Sequence, residues 1–206
     1  NCELRYGNLQ RALNEIKKNR GITDANGNLL RPVTILVSQF DSLAADGTLP
    51  DKGTGAGTYR GVHRTVSGGS GGGTRNLYVN AIEGFNKNKT DGSGYTLTIK
   101  ANNGDLPRIQ HLLIRSSRNI VLDGINMISD PNCKKFDTAF EIDNGNASGW
   151  HDISLTGDGQ KDANIIVQNC RVGSNGFTGM HISAYGGITF KNNTISCEFA
   201  VTNSNY

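Results

Sequence analysis

Three stretches of this chain align with one another without a gap: Asn119-Ile-Val-Leu-Asp-Gly-Ile-Asn-Met-Ile128, Asn164-Ile-Ile-Val-Gln-Asn-Cys-Arg-Val-Gly173 and Gly187-Ile-Thr-Phe-Lys-Asn-Asn-Thr-Ile-Ser196. Each reads as a short apolar strand, a two-residue bend and a second apolar strand. The bends end on Gly124, Asn169 and Asn192, residue types that tolerate φ > 0. A further short strand precedes each unit, at Leu112–Arg115, Phe140–Asp143 and Met180–Ser183, and Phe199–Thr202 starts a fourth copy. Met180 to Phe199 spans 19 residues and Ile165 to Ile188 spans 23. Three strands per period of about 20 residues predict a β-helix, because each coil must bury its apolar side chains against the next.

Other β-rich architectures fit less well. A sandwich calls for longer alternating strands joined as hairpins, and the sequence offers no such pairs. A leucine-rich repeat would carry Leu at fixed offsets and a helical half. Here Ile and Val dominate, and no helical pattern follows residue 20.

The first residues read differently. Leu9, Ala12, Leu13 and Ile16 fall at i, i+3, i+4 and i+7 and predict an amphipathic helix over 8–20. Lys17, Lys18 and Arg20 suit its C-terminal dipole, and Gly21 is placed to cap it. Val33, Ile35 and Val37 alternate as a strand after Pro32. Residues 38–76 lose periodicity, end in a Gly/Ser run and read as an irregular surface loop. The run has neither the Lys nor the following helix of a phosphate-binding loop.

Composition agrees with thin cores and many turns: 27 Gly, abundant Asn and 35% hydrophobic residues in 206. A net charge of +3, from 21 basic and 18 acidic residues, points to neither nucleic acid nor a membrane surface. No apolar run reaches the length of a membrane span. The start at Asn1 suggests a processed, exported chain, with an extracellular or cell-surface location. The four cysteines (Cys2, Cys133, Cys170 and Cys197) lack zinc spacing and allow two disulfides whose connectivity stays open. Cys133 and Cys197 fall in corresponding inter-coil loops, whereas Cys170 aligns with Ile125 and Asn193 on the inward side and reads as a buried thiol. The chain reads as one domain, 1–206, and further coils are expected after Tyr206, where no polar cap follows the last strand.

The phrases Arg118-Asn-Ile-Val-Leu-Asp-Gly-Ile-Asn126, Lys191-Asn-Asn-Thr-Ile195 and Tyr95-Thr-Leu-Thr-Ile-Lys-Ala101 with Pro107-Arg-Ile109 resemble the pectate lyase-like right-handed parallel β-helix superfamily. The opening helix and strand are similar to that superfamily's N-terminal cap. The resemblance covers 1–37 loosely and 95–206 well. It implies an all-β, right-handed parallel β-helix with an N-terminal capping α-helix. It leaves activity open, because the superfamily includes polysaccharide lyases, glycoside hydrolases, esterases, phage tailspikes and adhesins.

Registering the first strand of each coil directs Leu112/Ile114, Phe140/Ile142, Met180/Ile182 and Phe199/Val201 inward. The outward columns are then Leu113, Glu141, His181 and Ala200, beside Arg115, Asp143, Ser183 and Thr202. Strands about 4.8 Å apart bring Arg115, Glu141, Asp143 and His181 into one exposed patch, on the face where the resemblance puts a saccharide cleft. Two chemistries suit it. In β-elimination of an acidic polysaccharide, Arg115, or Ca²⁺ held by Glu141 and Asp143, neutralises the uronate, and His181 or Arg115 takes the proton. In hydrolysis, two carboxylates roughly 6.5–9.5 Å apart serve an inverting mechanism, with Glu141 and Asp143 near the lower limit. The same four side chains also make sense as an exposed salt-bridge network.

Trp150 and His151, in the 144–163 insertion, are candidates for a sugar-stacking wall, although a lone Trp also packs insertions down. The runs Asp143–Asn146 and Asp158–Asp162 do not meet the EF-hand order. The Gly-His-Gly motif and paired aspartates of the resembled hydrolases are missing, and the lyase aspartate cluster has no counterpart here. The resemblance therefore carries over no catalytic residue, and it is the charged first-strand face that makes the expected protein an exported, carbohydrate-active lyase or hydrolase acting on an acidic polysaccharide. A non-catalytic adhesin, tailspike-like stalk or glycan-binding module is the competing class.

Overall fold

The computed structural model describes residues 6–39, 58–59, 61–67, 74–89, 93–128, 138–143, 163–173, 178–183, 187–196 and 201–203. These form one short helix and sixteen strands, almost all of them in parallel sheets.

The first sheet orders β1 (Val33–Val37), β5 (Leu97–Ala101), β8 (Ile120–Asp123), β11 (Ile165–Gln168) and β14 (Ile188–Lys191). The second runs from β3 (Val62–Ser67) through β4 (Thr74–Glu83), β7 (Leu112–Arg115), β10 (Thr138–Asp143) and β13 (Thr178–Ser183) to β16 (Val201–Asn203). The third holds β2 (Thr58–Tyr59), β6 (Arg108–Gln110), β9 (Asn126–Ile128), β12 (Arg171–Gly173) and β15 (Thr194–Ser196). From β4 onward each strand pairs in parallel with the strand three places further along the chain. That periodicity is the physical content of the sequence repeat.

The repeat's alternation sets what is buried. Leu97, Ile120 and Ile165 share one register row, Ile99, Leu122 and Val167 the next, and all six are fully buried. Ile109, Met127 and Val172 from the third sheet, and Leu112, Ile114, Phe140 and Ile142 from the second, join them in one continuous core. Cys170 lies in that core, with its thiol hydrogen donated to the Gln168 carbonyl at 3.1 Å.

The bends follow the expected chemistry. Gly124, Asn169 and Asn192 have φ of 74°, 54° and 53°. The residues just before β8, β11 and β14 are also left-handed: Asn119 at 56°, Asn164 at 49° and Gly187 at 71°. Asn is among the few residues with a Cβ that enter this region readily, because its short amide finds local hydrogen bonds. Asn164 Nδ2 donates to Asn119 Oδ1 at 2.9 Å, and Asn169 Nδ2 to Asp123 Oδ1 at 2.8 Å, so the turns are tied from one repeat to the next.

The helix α1 spans Leu9–Lys18, shorter than the predicted 8–20. Asn8 caps it by accepting from the Arg11 amide at 2.6 Å. Asn19, in an extended conformation, ends it, and the Gly21 amide bonds to the Asn19 side chain, so Gly21 is not the cap. Leu9, Leu13 and Ile16 are buried and belong to the same continuous core.

Three expectations need correction. Residues 38–76 are not wholly irregular: β2 and β3 fall inside them, and β3 pairs antiparallel with the first part of β4, His63 opposite Tyr78 and Val66 opposite Arg75. Val62 and Val66 before the Gly/Ser run, and Leu77 and Val79 after it, lie at even spacings within their strands, a hairpin signature that glycine content obscured. Repetition also begins before residue 95, since Asn80–Glu83 already pair with Leu112–Arg115. Finally, β16 sits two residues along from the expected register, pairing Met180 with Val201 and Ile182 with Asn203. A shift of two keeps the same side of the strand, so side-chain alternation alone could not detect it. Residues 40–57, Trp150, His151, Cys2, Cys133, Cys197 and Tyr206 lie outside the described residues.

Candidate functional site

The predicted patch belongs to the second sheet. Asn80, Ile82, Leu112, Ile114, Phe140, Ile142 and Met180 occupy one set of alternating positions, and the apolar members join the core. The other set forms two rows. Glu83, Arg115, Asp143 and Ser183 are in register in one; Ala81, Leu113, Glu141, His181 and Thr202 are in register in the other. Backbone pairing therefore puts Glu141 beside His181 and Asp143 beside Arg115, as the repeat predicts. The side chains of Glu141, Asp143 and His181 lie outside the described residues, and that of Arg115 lies within them.

Arg115 is held from several directions. Its carbonyl accepts from the Gly84 amide at 3.0 Å and from Ser117 Oγ at 2.9 Å. The Phe85 amide donates to Ser117 Oγ at 3.1 Å, which ties together the chain leaving β4 and the chain leaving β7. Buried Ser116, at φ 46°, turns the backbone immediately after the strand. The guanidinium lies 3.8 Å from a carboxylate oxygen of Glu83, with the two side chains 12% and 25% exposed.

Two features differ from the expected open patch. Leu113, predicted to face outward, is 1% exposed and packs with Val79 and Ala81 in a second, small apolar cluster separate from the main core. Arg115 is likewise mostly covered. At the level of β4 and β7 this face is thus a packed surface, and an accessible groove would have to start from β10.

Glu83 is the member of the row that sequence reasoning missed. The segment Asn80-Ala-Ile-Glu83 corresponds position by position to Leu112-Leu-Ile-Arg115, but only Ile82 carries a strong apolar signal. Among the described residues no three His, Cys, Asp or Glu side chains cluster closely enough to hold a metal ion, and no helix is long and apolar enough to cross a membrane.

Comparison of the chain with protein-family models, with curated proteins and with solved structures gave no match.

Proposed function

We propose that the protein is an exported, carbohydrate-active right-handed parallel β-helix, a lyase or hydrolase acting on an acidic polysaccharide. The three-strand periodicity of the parallel sheets supports the architecture. The observation that carries the site is the register of β7, β10 and β13, with Asp143 beside Arg115 and Glu141 beside His181. A base, a cation and two carboxylates within two strand spacings, about 10 Å, are the groups that uronate chemistry requires.

In the lyase form a cation neutralises the sugar carboxylate and makes the adjacent C–H acidic enough for His181 to remove its proton. Arg115 is the resident cation at the edge of the patch. Ca²⁺ is the alternative, with Glu141 and Asp143 as its carboxylate donors and the remaining oxygens from substrate and water. In the hydrolase form Glu141 and Asp143 divide the acid and base roles. Trp150 and His151 are proposed as a stacking wall beside the cleft.

A second reading, a non-catalytic surface or glycan-binding protein, draws on the Arg115–Glu83 pair and the burial of Leu113. Both are what a structural face would show. Incubating the protein with a panel of acidic glycans, with and without Ca²⁺, separates these readings. Unsaturated uronate products indicate the lyase, and new reducing ends without unsaturation indicate the hydrolase. Binding without product supports the second reading.

A further inference from the structure

The two sheet edges that meet helix α1 are treated differently. On β4, the Gln10 side chain replaces a missing strand: its Oε1 accepts from the Ala81 amide at 2.6 Å and its Nε2 donates to the Ala81 carbonyl at 3.3 Å. Lys17 Nζ donates to the Glu83 carbonyl at 2.8 Å. That edge is closed.

On β1 the helix supplies nothing comparable. Among the described residues β1 pairs only with β5 and is the outermost strand of its sheet. The Val33 amide donates to Thr96 and the Val37 carbonyl accepts from Asn102, so the main chain of these two residues points toward β5. In a parallel ladder the N–H and C=O of one residue point the same way and alternate along the strand. Thr34 and Leu36 therefore direct their amides and carbonyls away from the sheet. No hydrogen-bond partner meets them among the described residues.

A cavity of about 620 Å³ lies between this edge and the helix. Six consecutive residues, 33 to 38, line it. A cavity against one face of a strand would touch every second residue, so consecutive lining means that it runs along the edge. The opposite wall is one helical stripe, with Leu9, Ala12 and Ile16 beside Glu15. Leu36 is 60% exposed, and the strand carries none of the charges or bulges that usually blunt an edge.

We propose that this groove takes an extended peptide from a partner protein, added as a further strand to β1. Main-chain bonds form with Thr34 and Leu36, and every second side chain of the peptide turns onto the Leu9–Ala12–Ile16 stripe. The matching peptide is apolar at alternate positions and carries no acidic residue at those that meet Glu15. Strand addition of this kind draws its affinity from main-chain bonds and its selectivity from alternate side chains.

The test is amide hydrogen exchange on the full 206-residue chain, read by NMR. The probe is a blocked peptide of alternating Thr and Val; the control carries Pro at its centre. At saturation the Thr34 and Leu36 amides should exchange roughly tenfold more slowly or better, the Val33 amide should be unchanged, and the control should have no effect. Thr34→Pro removes one groove-facing donor without touching the β5 ladder and should abolish the response at Leu36. If that variant does not fold, Leu36→Lys, a charge on the edge, replaces it, with binding at least roughly tenfold weaker expected. Absence of slowing at millimolar peptide overturns the proposal. So does full protection of both amides in the protein alone, which would mean that this chain already fills its own edge. Undiminished binding to the folded variant used would do the same.

Discussion

The guanidinium of Arg115 and the carboxylate of Glu83 lie 3.8 Å apart on neighbouring parallel strands, the Arg side chain 12% exposed and the Glu 25%. The pair joins the proposed cation to a partner that is not substrate. Its separation is long for a strong ion pair, and a double-mutant cycle with Glu83→Gln and Arg115→Met, read by urea denaturation, should give a coupling of about 1 kcal/mol or less. The functional consequence is more discriminating. If Arg115 neutralises a uronate, Glu83→Gln leaves the guanidinium less occupied, and KM for an acidic glycan should fall. Unchanged KM in an active protein would remove Arg115 from the site.

His181 and Ile182 test the register from both sides. His181→Ala should leave the melting temperature nearly unchanged while reducing activity about 10²- to 10⁴-fold, the usual contribution of a positioned acid or base. Ile182 is half-buried, packs against the main core and pairs with Ile142. Ile182→Ala should cost about 2 kcal/mol, the lower end for Ile truncation because the site is not fully enclosed. Exchange of the two outcomes would mean that the register is wrong by one residue.

The Cys170 thiol should be inert in the native protein and matter only at high pH. Burial, the dominant cause, raises its pKa from an ordinary 9.0 to about 11. The unfolded chain then loses this proton before the folded one does. The contribution to stability is complete below the unfolded value and declines as pH rises toward the folded one. Denaturation curves between about pH 8 and 11 should show a loss of stability that Cys170→Ala lacks. Iodoacetamide at neutral pH should modify this thiol only after denaturant is added.

What was legible in the sequence was the periodic part. Ile120–Asp123, Ile165–Gln168 and Ile188–Lys191 are in-register strands because each holds β-branched or large apolar residues at fixed offsets from a left-handed Asn or Gly. The β3–β4 hairpin escaped because its strands flank a glycine-rich run that resembles a linker. Of the row containing Arg115, Asp143 and Ser183 were readable from alternation alone. The burial of Leu113 was not, because alternation states which side a residue takes and says nothing of what covers that side. Glu83 was hidden by Ala81 and Asn80, which weaken the apolar signal of its strand.

Asp24 provides a pH test at the opposite extreme. Its carboxylate accepts from the Asn28 side chain at 2.9 Å and from the Asn26 and Asn28 amides at 2.8 Å, and these bonds, the Asn28 side chain foremost, hold its pKa below the ordinary 3.8. A depressed carboxylate contributes stability above its unfolded pKa and loses it as pH falls through the folded value. The melting temperature of the wild-type chain should therefore decline on acidification below about pH 4 more steeply than that of Asp24→Asn. Parallel profiles would show that this turn contributes nothing to acid sensitivity.

Asn164 carries two separable contributions, and a pair of substitutions isolates each. Its φ of 49° is a conformation that Ala enters at a cost of about 1–2 kcal/mol, whereas Gly enters it freely. Its amide also donates to Asn119 Oδ1 at 2.9 Å, a bond worth about 0.5–1.5 kcal/mol that either substitution removes. Asn164→Gly should thus destabilise by roughly the bond alone, with a small addition from the greater freedom of the unfolded chain. Asn164→Ala should lose the bond and bear the backbone strain as well, so it should be the less stable variant by about 1 kcal/mol. The chain makes the same choice within its own repeat: Ile165 and Ile188 are register partners, and the residue before Ile188 is Gly187, at φ 71°. Equal stability of the two variants in denaturant titrations would show that the left-handed turn is not what the repeat selects for at this position. The inter-repeat hydrogen bond would then remain as the reason for Asn.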